Sequence, residues 1–166
     1  MEAQARTMSQ RMVGAAMLDI DTFEEVEADE TATGQAAAVV AIVAACQALG
    51  HWGSQVGMIR AAIAALVGWA VWAGVTYLIG TRLFDGKATW GEVLRTLGFA
   101  QAPGILAVLG LIPLVRWGVG LVLPFWMLAA AIVGLRQALD ISTGKTVITG
   151  VLGWLAIAIP RIALGW

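Results

Sequence analysis

Long apolar runs separated by short polar connectors dominate the chain after about residue 32. A transmembrane helix needs about 20 mostly apolar residues to cross roughly 30 Å of hydrocarbon. We predict five such helices, over 33–50, 59–80, 93–114, 117–135 and 146–164. The last has only fifteen uncharged residues between Lys145 and Arg161, so it spans only if both end charges reach the interface. The pattern predicts an all-α polytopic membrane protein.

A shorter stretch before the first predicted span has its own helical periodicity. Apolar residues recur there in two adjacent rows, Met8, Met12 and Ala15 in one and Val13, Met17 and Ile20 in the other. This spacing predicts a short amphipathic helix that lies on the membrane surface, with Arg6 and Arg11 off its apolar face. Thr22 and Glu25 fit a capping box and predict a second short helix from Phe23.

Charge divides the chain into two parts. Eight of the eleven acidic residues lie in the first thirty positions, whereas residues 31–166 carry three acids and eight Lys or Arg. We therefore predict an acidic arm over residues 1–32 and a five-helix membrane domain over residues 33–166.

Composition narrows the class of protein. Charged residues make up 13% of the chain, against about 25% in soluble domains, which favours an integral membrane protein. The basic residues lie between apolar runs and form no single patch, so we expect no nucleic-acid partner. With one cysteine, Cys46, and one histidine, His51, we expect no disulfide, metal site or cofactor. No catalytic motif is present, and we expect no enzymatic activity.

The basic residues also predict the orientation, because cytoplasmic loops are enriched in Lys and Arg. With five crossings the two termini lie on opposite sides. The N-terminal side collects Arg6, Arg11, Arg82, Lys87, Arg136 and Lys145, and the other side Arg60, Arg116 and Arg161. We therefore expect a plasma (inner) membrane protein with its N-terminus in the cytoplasm and its C-terminus outside.

The acids of the arm share a side with most of the basic loops in this topology. We expect the arm to fold back over the inner face, with Glu24, Glu27 and Asp29 paired to those loops. A bound divalent cation and the docking of a partner protein are the alternatives.

The third predicted span holds the densest set of polar residues, including Thr96. Glu92 and Arg95 are i, i+3 neighbours and can pair on one face. Pro103 lacks an N–H, so a carbonyl in the preceding turn loses its hydrogen-bond donor. The side chain of Thr96 or Gln101 could donate to that carbonyl instead. Two interpretations stay open, a broken helix at a substrate path and a kink used for packing.

Small residues are frequent in the predicted spans. Rows such as Ala37, Ala41 and Ala45 permit close contact between helices, so we expect the first, least apolar helix to be enclosed by the others. We interpret four tryptophans inside the spans as packing or lipid contacts: Trp69, Trp72, Trp126 and Trp154.

Two runs of residues resemble a known family. Leu94–Pro103 resembles the third-helix signature of prokaryotic members of the Yip (Ypt/Rab-interacting protein) domain family, and so does Phe23–Asp29 followed by Gln35 and Ala36. The resemblance covers about residues 10–160 and implies five spans with a cytoplasmic N-terminus. For eukaryotic relatives the family resemblance implies binding of Rab GTPases through a long N-terminal region. The corresponding region here is about thirty residues long and lacks the aromatic Tyr-Gly-Pro type of motif, so the Rab role does not carry over.

The sequence therefore leaves three functional hypotheses. The first is a non-catalytic protein that organises the membrane or partner proteins, as a homo-oligomer or with other membrane proteins, through its arm and helix surfaces. The second is a lipid or small-solute transport or scrambling protein that uses the kinked, polar third helix. The third is an accessory subunit of a larger membrane complex.

Overall fold

The computed structural model describes residues 6–50 and 58–164. Within these ranges the chain forms seven α-helices and one 3₁₀ helix: α1 Met8–Ala16, α2 Ile20–Ala28, α3 Ala32–Gly50, α4 Met58–Leu83, α5 Trp90–Phe99, the 3₁₀ helix Ala102–Leu111, α6 Arg116–Leu139 and α7 Thr143–Leu164. The described part of the chain contains no strand. The predicted all-α class is confirmed.

Four segments of the described chain are long and apolar enough to cross a membrane: Ala32–Leu49, Ala62–Leu83, Trp90–Leu111 and Arg116–Leu139. They correspond to the first four predicted spans. The described apolar part of α7 is shorter, Thr143–Ile159. His51 lies outside the described residues, and so does the side chain of Arg161.

The third predicted span is not one continuous α-helix. Helix α5 ends at Phe99, and the 3₁₀ helix follows with Pro103 as its second residue. The ring of Pro103 clashes with a preceding α-helical turn, but proline is tolerated in the first turn of a new helix. Thr96 does not serve a freed carbonyl here, because its hydroxyl donates to the carbonyls of Glu92 and Val93 at 2.9 and 3.1 Å.

This broken third segment is the most enclosed of the four spans. Inside the protein 67% of Trp90–Leu111 is buried, against 33% of Ala32–Leu49. The first span, which we expected the other helices to surround, has the second-largest buried share of the four and is enclosed in part. Two glycines of the third segment permit a close approach of α3: a Cβ on Gly98 would lie 2.7 Å from the Cβ of Ala36, and one on Gly104 would lie 2.5 Å from a methyl of Val43. Helix α3 therefore packs closely against the third segment.

The arm folds into a helical hairpin of α1 and α2, joined by a turn in which Leu18 adopts a φ of 63°. The hairpin packs against α5, α6 and the 3₁₀ helix. Phe23 and Val26 on α2 are fully buried in the common core. Because its apolar residues are part of that core, the hairpin is a structural element of the helical body.

The predicted capping box at Thr22 is wrong, because α2 begins three residues earlier than predicted, at Ile20, with Asp19 as its N-cap. The Thr22 hydroxyl is buried and donates to the Asp19 carboxylate at 2.6 Å. It also accepts a hydrogen bond from Arg6 at 2.6 Å, so tertiary contacts override the local capping signal. Two other capping boxes are formed, by Thr7 with Gln10 and by Thr89 with Glu92.

Candidate functional site

The ion pairs of the arm centre on Arg11, whose side chain is only 2% exposed. Its guanidinium donates to Glu25 at 2.8 Å, to Asp29 at 2.7 Å and to the side-chain oxygen of Gln35 at 3.1 Å. Arg11 thus joins α1, the end of α2 and the start of α3. The prediction that Arg11 lies off the packed face of α1 is wrong.

Arg6 extends this network on its more exposed side. Its guanidinium lies 3.2 Å from the Asp19 carboxylate and 3.7 Å from that of Glu25. All ion pairs within 4 Å among the described residues fall inside the arm. The predicted pairing of Asp29 with the basic loops is wrong, because the Asp29 carboxylate already binds Arg11.

The charges of the network shift its pKa values. Burial by itself lowers the pKa of Arg11, but hydrogen bonds to Glu25 and Asp29, together with their charges, outweigh it and raise the pKa. The hydrogen bond from Thr31, followed by the one from Arg11, lowers the pKa of Asp29. The hydrogen bond from Thr22, aided by the charge of Arg6, lowers the pKa of Asp19. These shifts favour the charged forms of Arg11, Asp19 and Asp29.

Arg95 is the second buried arginine that fixes the arm. Its Nε donates to the backbone carbonyl of Val26 at 3.1 Å, and its Nη2 donates to that of Glu27. These carbonyls belong to the last turn of α2, where a positive charge is favourable. Arg95 therefore stabilises the C-terminal end of α2 from a position on α5.

The predicted pair between Glu92 and Arg95 is wrong. The Glu92 carboxylate accepts the backbone N–H of Thr89 at 2.7 Å, and the Glu92 N–H donates to the Thr89 hydroxyl at 3.3 Å. Because α5 begins at Trp90, Glu92 occupies the third position of the helix, where its side chain reaches back to the cap. Arg95 meanwhile points to α2.

Glu24 and Glu27 lie next to Asp29 in the sequence but outside its network. Glu24 is exposed and Glu27 half-buried, and neither carboxylate lies within 4 Å of a basic group in the described chain. The predicted contacts with the basic loops are therefore wrong for these two residues. Burial raises the pKa of Glu27, and the charges of Glu92 and Glu24 raise it further.

A cavity of about 300 Å³ lies where α3, α4, α6 and α7 meet the junction between α5 and the 3₁₀ helix. Its wall includes Trp69, Trp72, Trp154, Gln47, Gln101 and Met127. The Trp69 indole N–H donates to the carbonyl of Leu94 at 2.9 Å, which fixes that ring. Gln101 thus lies on the cavity wall, and Pro103 is buried at the helix break beside it.

A second cavity of about 270 Å³ adjoins the first and shares Gln47, Pro124 and Met127 with it. Its wall also includes Arg116, the first residue of α6. The Nε of Arg116 donates to the carbonyl of Gly110 at 3.1 Å. The two cavities therefore run from the tryptophans towards a positive charge.

Two buried polar atoms near the first cavity have no hydrogen-bond partner among the described residues, the indole nitrogen of Trp72 and the hydroxyl of Thr76. Both lie one turn apart on α4 and face Gly153 of α7. A Cβ at residue 153 would lie 2.3 Å from the Thr76 hydroxyl and 3.0 Å from the Trp72 nitrogen. Gly153 therefore permits the close approach of α4 and α7.

The side chains of the cavities suit binding better than proton transfer. The wall of the first cavity carries aromatic, aliphatic and amide groups and no titratable side chain. Across residues 6–50 and 58–164, no three His, Cys, Asp or Glu side chains are grouped so that they could hold a metal ion.

Some of this arrangement had a readable signal in the sequence. Arg11 lies between Met8, Met12 and Ala15 at i, i+3, i+4 and i+7 spacing, which places it on the packed stripe. The capping box of Thr89 and Glu92 likewise has the required spacing of three positions. The cavities have no comparable signal, because their walls come from residues far apart in the chain.

Comparison with models of known protein families gives a match over most of the chain. The model of a family described as the Yip1 domain matches residues 19–164, which include α2 to α7. No curated protein and no solved structure matches the chain significantly.

Proposed function

Since the chain belongs to the Yip1 domain family, we propose that it is a multi-pass membrane protein that acts without catalysis and organises the membrane and partner membrane proteins. We place it in the prokaryotic branch of the family and in the plasma membrane. We further propose five crossings, with α7 as the fifth, a cytoplasmic N-terminus and a C-terminus outside.

The observation that carries this proposal is an apolar surface shared by the hairpin and α6. The outer edge of the hairpin exposes Val13, Met17, Leu18 and Ile20, and the Met17 side chain is 75% exposed. The Trp126 indole N–H donates to the carbonyl of Ala16 at 2.8 Å and joins this edge to the middle of α6. Helix α6 exposes Leu121, Val122 and Phe125 in the adjacent turns.

Such a surface suits the lipid bilayer and the helices of other membrane proteins, including a second copy of this chain. Asp21 and Glu24 are exposed on α2 and add an acidic border. The cation alternative is less favoured, because Asp19, Glu25 and Asp29 already bind arginines.

The proposal is tested by replacing an exposed apolar residue of the hairpin. Met17→Glu places a charge on the apolar edge without touching the Arg11 network. We expect it to abolish complexes that are captured by cross-linking in native membranes and resolved by native electrophoresis. Ser9→Glu, on an exposed polar position of α1, is the matched control. Complexes of unchanged size and amount in Met17→Glu would refute a role for this surface.

The break between α5 and the 3₁₀ helix favours a second candidate function, transport or scrambling of a lipid or small solute. A 3₁₀ helix of ten residues is unusually long and often marks a hinge. Gln101 immediately precedes it and lies on the cavity wall. Transport predicts flux in proteoliposomes that falls in Gln101→Ala and Pro103→Ala. Accessory membership of a larger complex predicts instead that a defined set of proteins co-purifies in fixed stoichiometry.

A further inference from the structure

We propose that the two adjoining cavities hold the single acyl chain of an anionic amphiphile, with the acidic head group at Arg116. The shared chemistry is one hydrocarbon chain attached to a carboxylate or a phosphate. The inference goes beyond the role of the hairpin surface. It extends the second candidate function by naming what the cavities bind, and it does not require that the ligand be transported.

The residues that line the first cavity indicate what kind of ligand tail it can hold. In the first cavity three tryptophans and Met127 surround the space, and Gln47 and Gln101 provide its amide groups. A hydrocarbon chain, which neither donates nor accepts hydrogen bonds, suits a space lined mainly by aromatic and aliphatic side chains. Met127, which both cavities share, is unbranched and can change rotamer to open a path between them.

The size of the space limits the ligand to one chain. The cavities measure about 300 and 270 Å³, which is near the lower limit of roughly 300–1,000 Å³ for small-molecule sites. Spaces of this size favour a single chain, such as a fatty acid or the tail of a lysophospholipid, over the two chains of a phospholipid.

The positive charge of Arg116 at the second cavity indicates that the ligand has an anionic head group. Arg116 lines the second cavity and is exposed at its outer side. Among the described residues its Nε donates to Gly110 and its two Nη groups have no partner, and these groups are therefore available to an anion. Guanidinium groups bind carboxylate and phosphate in a bidentate manner. The first turn of α6 begins at the same residue and adds a partial positive charge.

The residues around Arg116 place this head group at a lipid surface. Leu114 is 91% exposed and Trp117 is 88% exposed. Exposed tryptophan next to arginine is typical of the interface between hydrocarbon and head groups. An amphiphile would therefore enter from the bilayer, with its tail between the helices and its charge at the interface.

Binding is tested on the purified full chain with radiolabelled palmitate and with lysophosphatidylglycerol as separate probes. We expect saturable binding of one molecule per chain. Ala158→Phe fills the first cavity, and we expect it to weaken binding at least about tenfold. Ala156→Phe, exposed on the same helix α7, is the matched control. Arg116→Gln should weaken binding about tenfold, whereas the exposed Arg60→Gln should not.

The two probes distinguish the sources of the ligand. Tighter binding of palmitate identifies a free fatty acid, and tighter binding of the lysolipid identifies a phosphate head; both outcomes support the site. Equal binding to wild type and to both Ala158→Phe and Arg116→Gln would overturn it, as would the absence of saturable binding. Saturable binding without flux refutes transport alone and leaves the site intact.

A labelling experiment on the unmodified sequence covers the case in which Ala158→Phe does not fold. Palmitate with a photoreactive diazirine at its end is cross-linked to the wild-type protein, and the adducts are mapped by mass spectrometry. We expect adducts on Met127 and Trp154. Adducts confined to exposed lipid-facing residues such as Val67 and Phe125 would overturn the proposal.

Discussion

Arg95 on α5 donates its Nε proton to the backbone carbonyl of Val26 on α2 at 3.1 Å, and these residues are 69 positions apart in the chain. The second bond, to the Glu27 carbonyl, uses Nη2 of the same guanidinium. Arg95 is buried, and the carbonyls it binds are at a helix end that has no other donor for them among the described residues. Arg95 therefore fixes the end of α2 to the membrane domain, in addition to the buried contacts of Phe23 and Val26.

We expect Arg95→Lys to lower the thermal stability of the detergent-solubilised protein and to expose the arm to proteases. Lysine keeps the charge but lacks the planar geometry that reaches two carbonyls at once. Loss of such charge-assisted hydrogen bonds costs about 1.5–3 kcal/mol. Arg136→Lys, at an exposed position, is the control. Unchanged cleavage of the arm in Arg95→Lys would show that other contacts fix α2.

Arg11→Met should also destabilise the protein, because it leaves the Glu25 and Asp29 carboxylates without their common partner. Removing one member of a buried ion pair costs about 3–5 kcal/mol. Both carboxylates are 27% exposed and can regain some hydration, so we expect a smaller loss of about 2 kcal/mol. The measurement is the midpoint of thermal unfolding in detergent.

A compensating variant separates the charge effect from the packing of Arg11. Combining Arg11→Met with Glu25→Gln and Asp29→Asn removes the unpaired charges and should recover most of the stability. If the triple variant is no more stable than Arg11→Met, the loss comes from packing and not from unpaired carboxylates.

The helices were predictable from the sequence to within a few residues, because length and hydropathy determine where a chain can cross lipid. The break near Pro103 was also predictable from local sequence, because proline has no backbone N–H to donate within an α-helix. Gln101 was chosen because an amide in an apolar span needs a partner or a cavity; the structure places it on the wall of the first cavity, and its functional role stays a prediction.

The partners of the charged residues were not predictable, because they depend on contacts between distant segments. Arg95 has an acidic neighbour one turn away in Glu92, yet it bonds to carbonyls of α2. The Glu92 carboxylate caps the N-terminus of α5 and is therefore not available to Arg95. The acceptors for Arg95 are backbone carbonyls of α2, which are close in the fold but distant in the sequence. Asp29 likewise binds Arg11, on the helix before its own.

Gly134→Ala should separate α2 from α6. A Cβ at this position would lie 2.7 Å from the ring of Phe23, which is fully buried. Overpacking of this kind costs about 1–3 kcal/mol. Gly118→Ala on the same helix is the control, because nothing lies within 4 Å of its Cβ position and alanine favours the helix. We expect a lower unfolding midpoint for Gly134→Ala only, and partial recovery when it is combined with Phe23→Leu.

Thr76→Val should raise the unfolding midpoint, in contrast to most substitutions at buried sites. The Thr76 hydroxyl is buried without a hydrogen-bond partner among the described residues, and an unsatisfied group of this kind costs about 1–3 kcal/mol. Valine keeps the shape of threonine and removes the polar atom. Thr149→Val on α7 is the control, because the Thr149 hydroxyl donates to the Lys145 carbonyl at 2.8 Å. A midpoint that falls in Thr76→Val would show that the hydroxyl has a partner in the membrane.

The pH dependence of stability should carry two opposite contributions from α2 and its C-cap residue. The pKa of Asp29 is lowered from 3.8, mainly by the hydrogen bond from Thr31, so its stabilising effect is present above pH 3.8 and is lost as the pH falls through the folded value. The pKa of Glu27 is raised from 4.5, mainly by burial, so its contribution is present below pH 4.5 and is lost as the pH rises through the folded value.

Glu27→Gln tests the predicted contribution of Glu27 to the pH dependence of stability. Because glutamine cannot ionise, we expect this variant to unfold at a higher temperature than wild type at pH 7, and the difference to vanish near pH 4, where wild-type Glu27 is protonated. Asp29→Asn should do the reverse, with a loss of stability at pH 7 that shrinks in acid. Glu30→Gln, at an exposed position, provides the control in the same pH series. A Glu27→Gln midpoint equal to that of wild type at pH 7 would mean that the half-buried carboxylate is fully hydrated, and that the repulsion from Glu92 and Glu24 does not reach it.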